Sequence, residues 1–353
     1  MDGIKSINIK HFRGFEHLDV EDFARVNILV GQNNCGKSTV LEALLFITGM
    51  SNPYLPQNLN TFRSRNLFNG VDSLKYLFHN MDFSNSPHIS ATQFDGDTRS
   101  LNLSLTYKST NGIDGGATVL STETKNFVNS VVLDFAISGS DYQSYLTLNS
   151  TGGVAMQQIP EAYFEKLSTA LLPSDTSASN PIADLGEIFK RQQKGELISL
   201  LQKFDSQINA IEIINGSVFL GLAGMGELIP IALAGDGMKR YLNIISSAAN
   251  IKTNIILIDE IDNGLHYSAY KKLWEALFAL AVSTNKQIFV TTHSKETLQK
   301  LNEMLEERPE YQNEMALYTI EQTKLKGHQA YRYPYEGLAE ACKNNVEIRS
   351  VAL

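Results

Sequence analysis

Nine consecutive residues, Gly31 to Thr39 (GQNNCGKST), constrain this chain of 353 residues more than any other stretch. They fit GxxxxGK[ST] at every fixed position. Before them runs VNILV (26–30), a nearly continuous β-branched segment that reads as a buried strand; after them comes VLEALLFITGM, whose apolar residues recur at three and four, as in an amphipathic helix. A strand, a glycine-bearing loop and a helix in that order make a phosphate cradle. Gly31 and Gly36 let backbone N–H groups turn inward around an oxyanion, with Gln32, Asn33, Asn34 and Cys35 between them, and the helix presents its positive end. Lys37 is expected to reach the β- and γ-phosphates, Ser38 to ligate Mg²⁺, and Thr39 to add a phosphate contact. Cys35 reads as a small side chain on a crowded turn rather than as a redox switch.

A second signal lies more than two hundred positions downstream. Ile255–Ile258 is an apolar run that ends in two carboxylates, Asp259 and Glu260. A central strand of a parallel sheet tolerates charge only where it emerges at its C-terminal edge, which is where such sheets bind ligands. Asp259 is therefore placed to hold Mg²⁺ through its water shell, and Glu260 to polarise an attacking water. Gln287–Thr292 is another buried run and ends in His293; an imidazole there could hydrogen-bond a γ-phosphate or the attacking water.

Around these signals the chain divides into three parts. Residues 1–87 carry the loop, after alternating runs at 4–10 and 16–20. Residues 88–230 hold alternating runs (HISATQF, LNLSLTY, SVVLDFAI, SYLTLNS), read as an antiparallel β insertion, then helical spacing over 160–208 and short strands over 209–231. Residues 231–353 alternate helices and strands, which means a parallel sheet with helical crossovers. The first 50 and last 120 residues are expected to share one sheet. The fold class is thus α/β, a P-loop NTPase with a mixed, largely parallel core sheet and an inserted antiparallel β plus helical subdomain.

Composition narrows the function classes further. Thirty Lys plus Arg against 38 Asp plus Glu give a net charge of −8, with 43% apolar residues, so disorder is excluded and indiscriminate coating of nucleic acid is disfavoured. A local basic surface around Arg63, Arg65, Lys190, Arg191 and Lys194 leaves DNA as a possible partner. Two distant cysteines, no signal peptide and no apolar run of about 18 residues point to a cytoplasmic protein without a membrane partner.

Taken together, these motifs resemble the ABC-type ATPase heads of the structural-maintenance, RecF and overcoming-lysogenization-defect (OLD) groups, and among them OLD-like AAA family ATPases. The resemblance rests on Phe12-Arg13-Gly14-Phe15, the GQNNCGKST loop, LAGDGMKR (233–240), LIDEIDNGLH (257–266) and TTHS (291–294). It implies ATP hydrolysis with Mg²⁺, and a homodimer or higher homo-oligomer in which two chains sandwich two ATP molecules head to tail. Arg13 would face the nucleotide phosphates. Gly235, Asp236, Gly237, Lys239 and Arg240 would complete the partner's ATP site in trans, with Asp262, Asn263, Gly264 and His266 at the seam. Gly235 stands where such signatures usually carry Ser, and no Gln occupies the metal-sensing position, for which His79 or Asn80 is the expected substitute. The 60 residues after His293 are too few for a separate Toprim nuclease domain. The leading expectation is an ATP-driven switch controlling a separate effector, a nuclease or toxin, in bacteriophage defence. The alternatives are a DNA-repair or DNA-end-sensing head and a non-hydrolysing, nucleotide-dependent scaffold.

Overall fold

A computed structural model describes residues 1–63, 71–110, 125–149, 154–175, 180–323 and 325–350. The chain begins with a hairpin of β1 (Ile4–Phe12) and β2 (Phe15–Val20), then enters the fully buried β3 (Val26–Val30), the loop, and α1 (Lys37–Thr48). After α2 (Leu55–Arg63) and a 3₁₀ segment, Val71–Leu77, come five antiparallel strands. These are β4 (His88–Gln93), β5 (Thr98–Thr110), β6 (Lys125–Ile137), β7 (Ser140–Leu148) and β8 (Val154–Gln158). A short strand, β9 (Thr169–Leu172), precedes α3 (Ile182–Lys190) and α4 (Lys194–Phe204). A small sheet of β10 (Ile208–Ile214), β11 (Ser217–Leu222) and β12 (Ile229–Pro230) leads to α5 (Asp236–Ala249). The remainder alternates: β13 (Ile255–Ile258), α6 (Tyr270–Ser283), β14 (Gln287–Thr291), α7 (Lys295–Glu307), β15 (Met315–Thr323), β16 (Gly327–Tyr333) and α8 (Tyr335–Asn344).

The core sheet has the order β16-β15-β3-β14-β13-β9, parallel except for the outer β15–β16 hairpin. A strand buried on both faces must be apolar on both, and β3, β13 and β14 are. Their alternate residues supply two different cores. Leu29, Ile255, Leu257 and Phe289 join the core that contains α1, whereas Val26, Ile28, Val30, Ile256, Ile258, Ile288 and Val290 join the core under α5, α6 and α7.

The helix after the loop lies between two sheets. On one side α1 packs against β9, β13 and β14, and on the other against β1, β4 and β5 of a seven-stranded antiparallel sheet ordered β2-β1-β4-β5-β6-β7-β8. Every residue from Thr39 to Thr48 is buried accordingly, and α1 is apolar on most of its circumference, as a helix covered all round must be.

Two pairings differ from the sequence expectation. Of the first 50 residues only β3 joins the core sheet; β1 and β2 pair with β4 instead, so the sheets cross the expected boundary between 87 and 88. The reason is patterning. β1 buries Ile4, Ile7, Ile9 and Phe12 on one side while leaving Lys5 and Lys10 exposed, which suits a one-sided antiparallel sheet over α1 and not a central parallel strand. The second difference is β9, inside a stretch read as helical, which adds the far edge of the core sheet beside β13.

Candidate functional site

Because β3, β14 and β13 run parallel and adjacent, with Leu29 opposite Thr291 and Ile258 opposite Val290, their C-terminal ends open on one edge. The loop takes its shape there from two glycines. Gly36 has φ 99°, and a Cβ on it would lie 2.4 Å from the Phe15 ring; Gly31 has φ 151°, and its Cβ would lie 2.4 Å from the Ile320 carbonyl oxygen. No larger residue fits either place. Asn33 and Asn34 are exposed on the loop, Asn34 at φ 63°, while Cys35 is buried and its thiol is pushed up by that burial, as a packing residue requires. Lys37 Nζ folds back over the turn and donates to the carbonyls of Gly31 at 3.0 Å and Gln32 at 2.9 Å. Thr39 is buried at the start of α1 and lines the adjoining cleft.

The distant acids meet this loop. Ser38 Oγ donates to Asp259 Oδ1 at 2.8 Å across 221 positions of sequence. Thr291 Oγ1 donates to the same carboxylate oxygen at 2.6 Å, and accepts from the Glu260 backbone N–H at 2.8 Å. Glu260 itself sits at φ 48°, a conformation rare outside glycine that recurs at functional sites. Thr291 thus orders the Asp259 carboxylate and the Glu260 backbone. Sequence alone gives Thr291 of TTHS no role, because nothing local places it one strand away from the acidic end of β13. His293 is exposed two residues beyond β14.

Arg13 lines the cleft with a backbone φ of 52°, but its guanidinium is paired with Glu42 of α1, Nε to Oε2 at 2.6 Å. Glu42, buried and five residues past Lys37, was not singled out by sequence because a lone Glu on an apolar helix carries no pattern. The cleft, about 460 Å³, is also lined by Gly36, Asn80, Gln322 and His328. Of the two candidates for the metal-sensing position, Asn80 reaches the cleft, at φ 54°. His79 uses Nδ1, 3.1 Å from the Arg13 carbonyl oxygen, to hold the neighbouring turn.

The segment at 235–240 divides in two. Gly235 and Asp236 are exposed at the start of α5, where Lys239 Nζ pairs with Asp236 Oδ1 at 3.2 Å, and Gly237 lies against the Gly264 carbonyl. Arg240 corrects the expectation that it acts in trans. It is fully buried and points into its own chain, donating to the backbone carbonyls of Pro173 at 2.5 Å, Asp259 at 2.6 Å and Glu260 at 3.2 Å. One turn inside the helix, the residue faces the core sheet and not the exposed end. At the expected seam Asn263 and His266 are exposed, with Asn263 Nδ2 donating to the Ser174 carbonyl at 3.0 Å, whereas Asp262 accepts from Thr292 Oγ1 at 2.6 Å within the chain.

The basic surface considered for DNA does not stand clear of acid. Lys190 pairs with Glu187 at 3.1 Å and Lys194 with Glu212; Arg65 and the Arg63 side chain lie outside the described residues.

Residues 26–298 match the family described as "AAA domain, putative AbiEii toxin, Type IV TA system". The chain belongs to that family of AAA-domain proteins. The ATPase is 28% identical over 350 residues to an "ATP/GTP phosphatase" of Helicobacter pylori, a match covering 90% of this chain and 92% of that one. Its fold is that of an ABC-type head. The head of a structural-maintenance protein, solved bound to the C-terminal winged-helix domain of ScpA, superposes with TM-score 0.51 over 97% of this chain and 99% of the other, at 13% identity. The corresponding head from Thermotoga maritima covers 94% and 98% at TM-score 0.48 and 12% identity. Among the described residues no helix is long and apolar enough to cross a membrane.

One acid-labile element borders the cleft. His328 is 9% exposed and meets Phe15 edge-on at 4.7 Å, the ring that closes over Gly36. Burial, with His79 nearby as a second cause, lowers its pKa below the ordinary 6.5. A histidine depressed in the folded state binds its proton more readily when unfolded, so its contribution to stability is complete above about pH 6.5 and fades as pH falls through the folded value. Urea titrations from pH 7.5 to 5 should show stability falling on acidification, less steeply in His328→Gln. Equal slopes would remove His328 as a cause.

Proposed function

We propose that this ATPase is a dimerising switch. Two copies close head to tail around two nucleotides, Glu260 polarises the attacking water, His293 contacts the γ-phosphate side, and the exposed start of α5 at Gly235 and Asp236 meets the partner's nucleotide. The observation that carries the reading is the convergence of Ser38, Asp259, Thr291 and the Glu260 backbone on one point beside the Lys37 loop. A phosphate cradle beside the hydrogen-bonded Asp259 carboxylate and a Glu260 pinned by its backbone can bind a nucleotide and direct water at its end.

The donor set suits Mg²⁺. Ser38 and Asp259 offer hard oxygen ligands, and no group of three or more His, Cys, Asp or Glu side chains is gathered for a metal among the described residues. A cation here would take its other ligands from phosphate and water, as Mg²⁺ does, and would neutralise charge on the phosphates. What closes on ATP and relaxes on hydrolysis can drive a partner, and the effector is read as a separate nuclease or toxin, in defence against bacteriophage. The matched family, described as a putative toxin of a type IV TA system, supports an effector of this kind.

Size-exclusion with light scattering tests closure. The wild type is expected to shift towards a dimer with ATP and Mg²⁺, and Lys37→Ala to stay at its apo size and release no phosphate. A size indifferent to nucleotide in a protein that still hydrolyses ATP would end the dimer reading.

A further inference from the structure

The core-sheet ladder makes its last bond at Thr292, whose N–H donates to the Leu29 carbonyl oxygen at 3.2 Å, so the turn that carries His293 into α7 must be held by other means. Thr292 is tied to Asp262, and the Ser294 N–H donates to Thr292 Oγ1 at 3.0 Å. For His293 itself one backbone anchor is present among the described residues, and it comes from 56 positions away: Arg349 Nη1 donates to the His293 carbonyl oxygen at 2.5 Å. No hydrogen bond to the His293 imidazole is present among the described residues, so the backbone anchor is what fixes the direction of its Cα–Cβ bond.

Arg349 is itself held rigid. Glu347 grips it as a fork, Oε1 at 2.6 Å from Nε and Oε2 at 2.5 Å from Nη2, and the guanidinium holds the Glu347 carboxyl down at about 2. Between them, the Ile348 carbonyl accepts from Thr319 Oγ1 at 2.5 Å. Thr319 lies on β15 directly opposite Val30, the residue before the phosphate loop. Lys295 Nζ adds a bond to Asn345 Oδ1 at 2.5 Å. The segment after α8 therefore runs from the sheet position beside the loop to the turn that carries His293. A charge-assisted bond to a carbonyl from a guanidinium fixed by a bidentate carboxylate is strong and directional.

We infer that Arg349, braced by Glu347 and Thr319, is a positioning residue for His293. It sets the peptide plane after β14 and with it the aim of the imidazole, without touching the nucleotide. The inference rests on the proposed role of His293, and a double-mutant cycle separates the two. With Arg349→Ala, kcat for ATP hydrolysis should fall about 10- to 100-fold, the range seen when an outer hydrogen bond or about 1 Å of alignment is lost. KM for ATP and the affinity for a fluorescent ATP analogue should hold, because the Lys37 loop is untouched. Arg349→Lys, which keeps a charged donor but loses the fork, should recover part of the rate.

In a His293→Ala background, Arg349→Ala should cost nothing further. If His293→Ala lowers kcat but Arg349→Ala does not, or if the two losses multiply, the positioning idea is overturned while the role of His293 stands. If His293→Ala leaves kcat unchanged, both fall together. A rise in KM matching the loss in kcat/KM would assign Arg349 to binding and overturn the inference as well.

Discussion

Glu260→Gln is expected to lower the ATP hydrolysis rate about 10²- to 10⁴-fold, the usual contribution of a positioned general base, while nucleotide binding persists. The replacement keeps the volume and the polar head, and the backbone N–H of residue 260 still donates to Thr291 Oγ1, since that 2.8 Å bond does not involve the side chain. Ser38 and Asp259 keep their contact, so the phosphate and cation side of the site should survive. What disappears is the carboxylate that can polarise water. The variant should therefore accumulate bound ATP and, in the proposed switch, remain in the closed dimer long enough to elute as one. Single-turnover phosphate release and light scattering in ATP measure the two parts separately. Hydrolysis within threefold of wild type, on the order of 0.6 kcal/mol of barrier, would move the base elsewhere, Asp262 being the next carboxylate along the turn. Loss of binding together with hydrolysis would instead mean that Glu260 is structural.

Replacing Arg240 by Met should cost about 3–5 kcal/mol of stability, the range for breaking a buried charge away from its partners. Burial lowers the pKa of this guanidinium to about 10, against the pull of Asp259, Asp262 and Glu260. The side chain is worth that desolvation because it supplies donors to three carbonyls at once, those of Pro173, Asp259 and Glu260. Met fills the volume but leaves these carbonyls without that donor and three carboxylates without a neutralising charge. For a chain of this length the melting temperature should fall by about 5 °C. A second consequence follows from where the three carbonyls lie. Arg240 bolts α5, whose exposed start is Gly235 and Asp236, to the backbone of the two acids. Hydrolysis should then drop more than ATP binding does, measured well below the new melting point. Arg240→Lys, with one compact donor in place of a fork, should recover part of the stability and little of the rate. An unchanged melting temperature in Arg240→Met would show the clamp to be incidental.

How much of this was legible in advance depends on the range of each interaction. The loop at 31–39 declares itself because its chemistry is local: two glycines at fixed spacing, a lysine, a hydroxyl, and strand and helix on either side. The acids at 259 and 260 were legible for a similar reason, since an all-apolar strand cannot end in two carboxylates except at an exposed edge. Alternation at 4–10 and 16–20 gave strands, and β1 and β2 are there. Their partner is not legible in the sequence, because alternation states which side is buried and not what buries it. β9 escaped notice because four residues, TALL, carry too short a pattern to tell a strand from a turn of helix. The resemblance puts Arg240 in trans with the rest of Gly235–Arg240, whereas only Gly235 and Asp236 of that run are exposed and α5, turning 100° per residue, carries Met238 and Arg240 into the core.

By itself, then, the sequence determined the chemistry on offer: a phosphate-cradling loop, two carboxylates at a strand end, a histidine at another, and a core sheet of buried strands. Only the tertiary structure decided which groups cooperate. It set the strand order that puts β14 between β3 and β13, and with it Thr291 between the loop and the acids; it turned Arg240 inward, paired Arg13 with Glu42, and brought Arg349 to His293. The physical reason is that spacing along the chain reports on neighbours within a turn or a strand. Contacts made across about 20 to 220 positions are chosen by which apolar faces the whole chain can bury together.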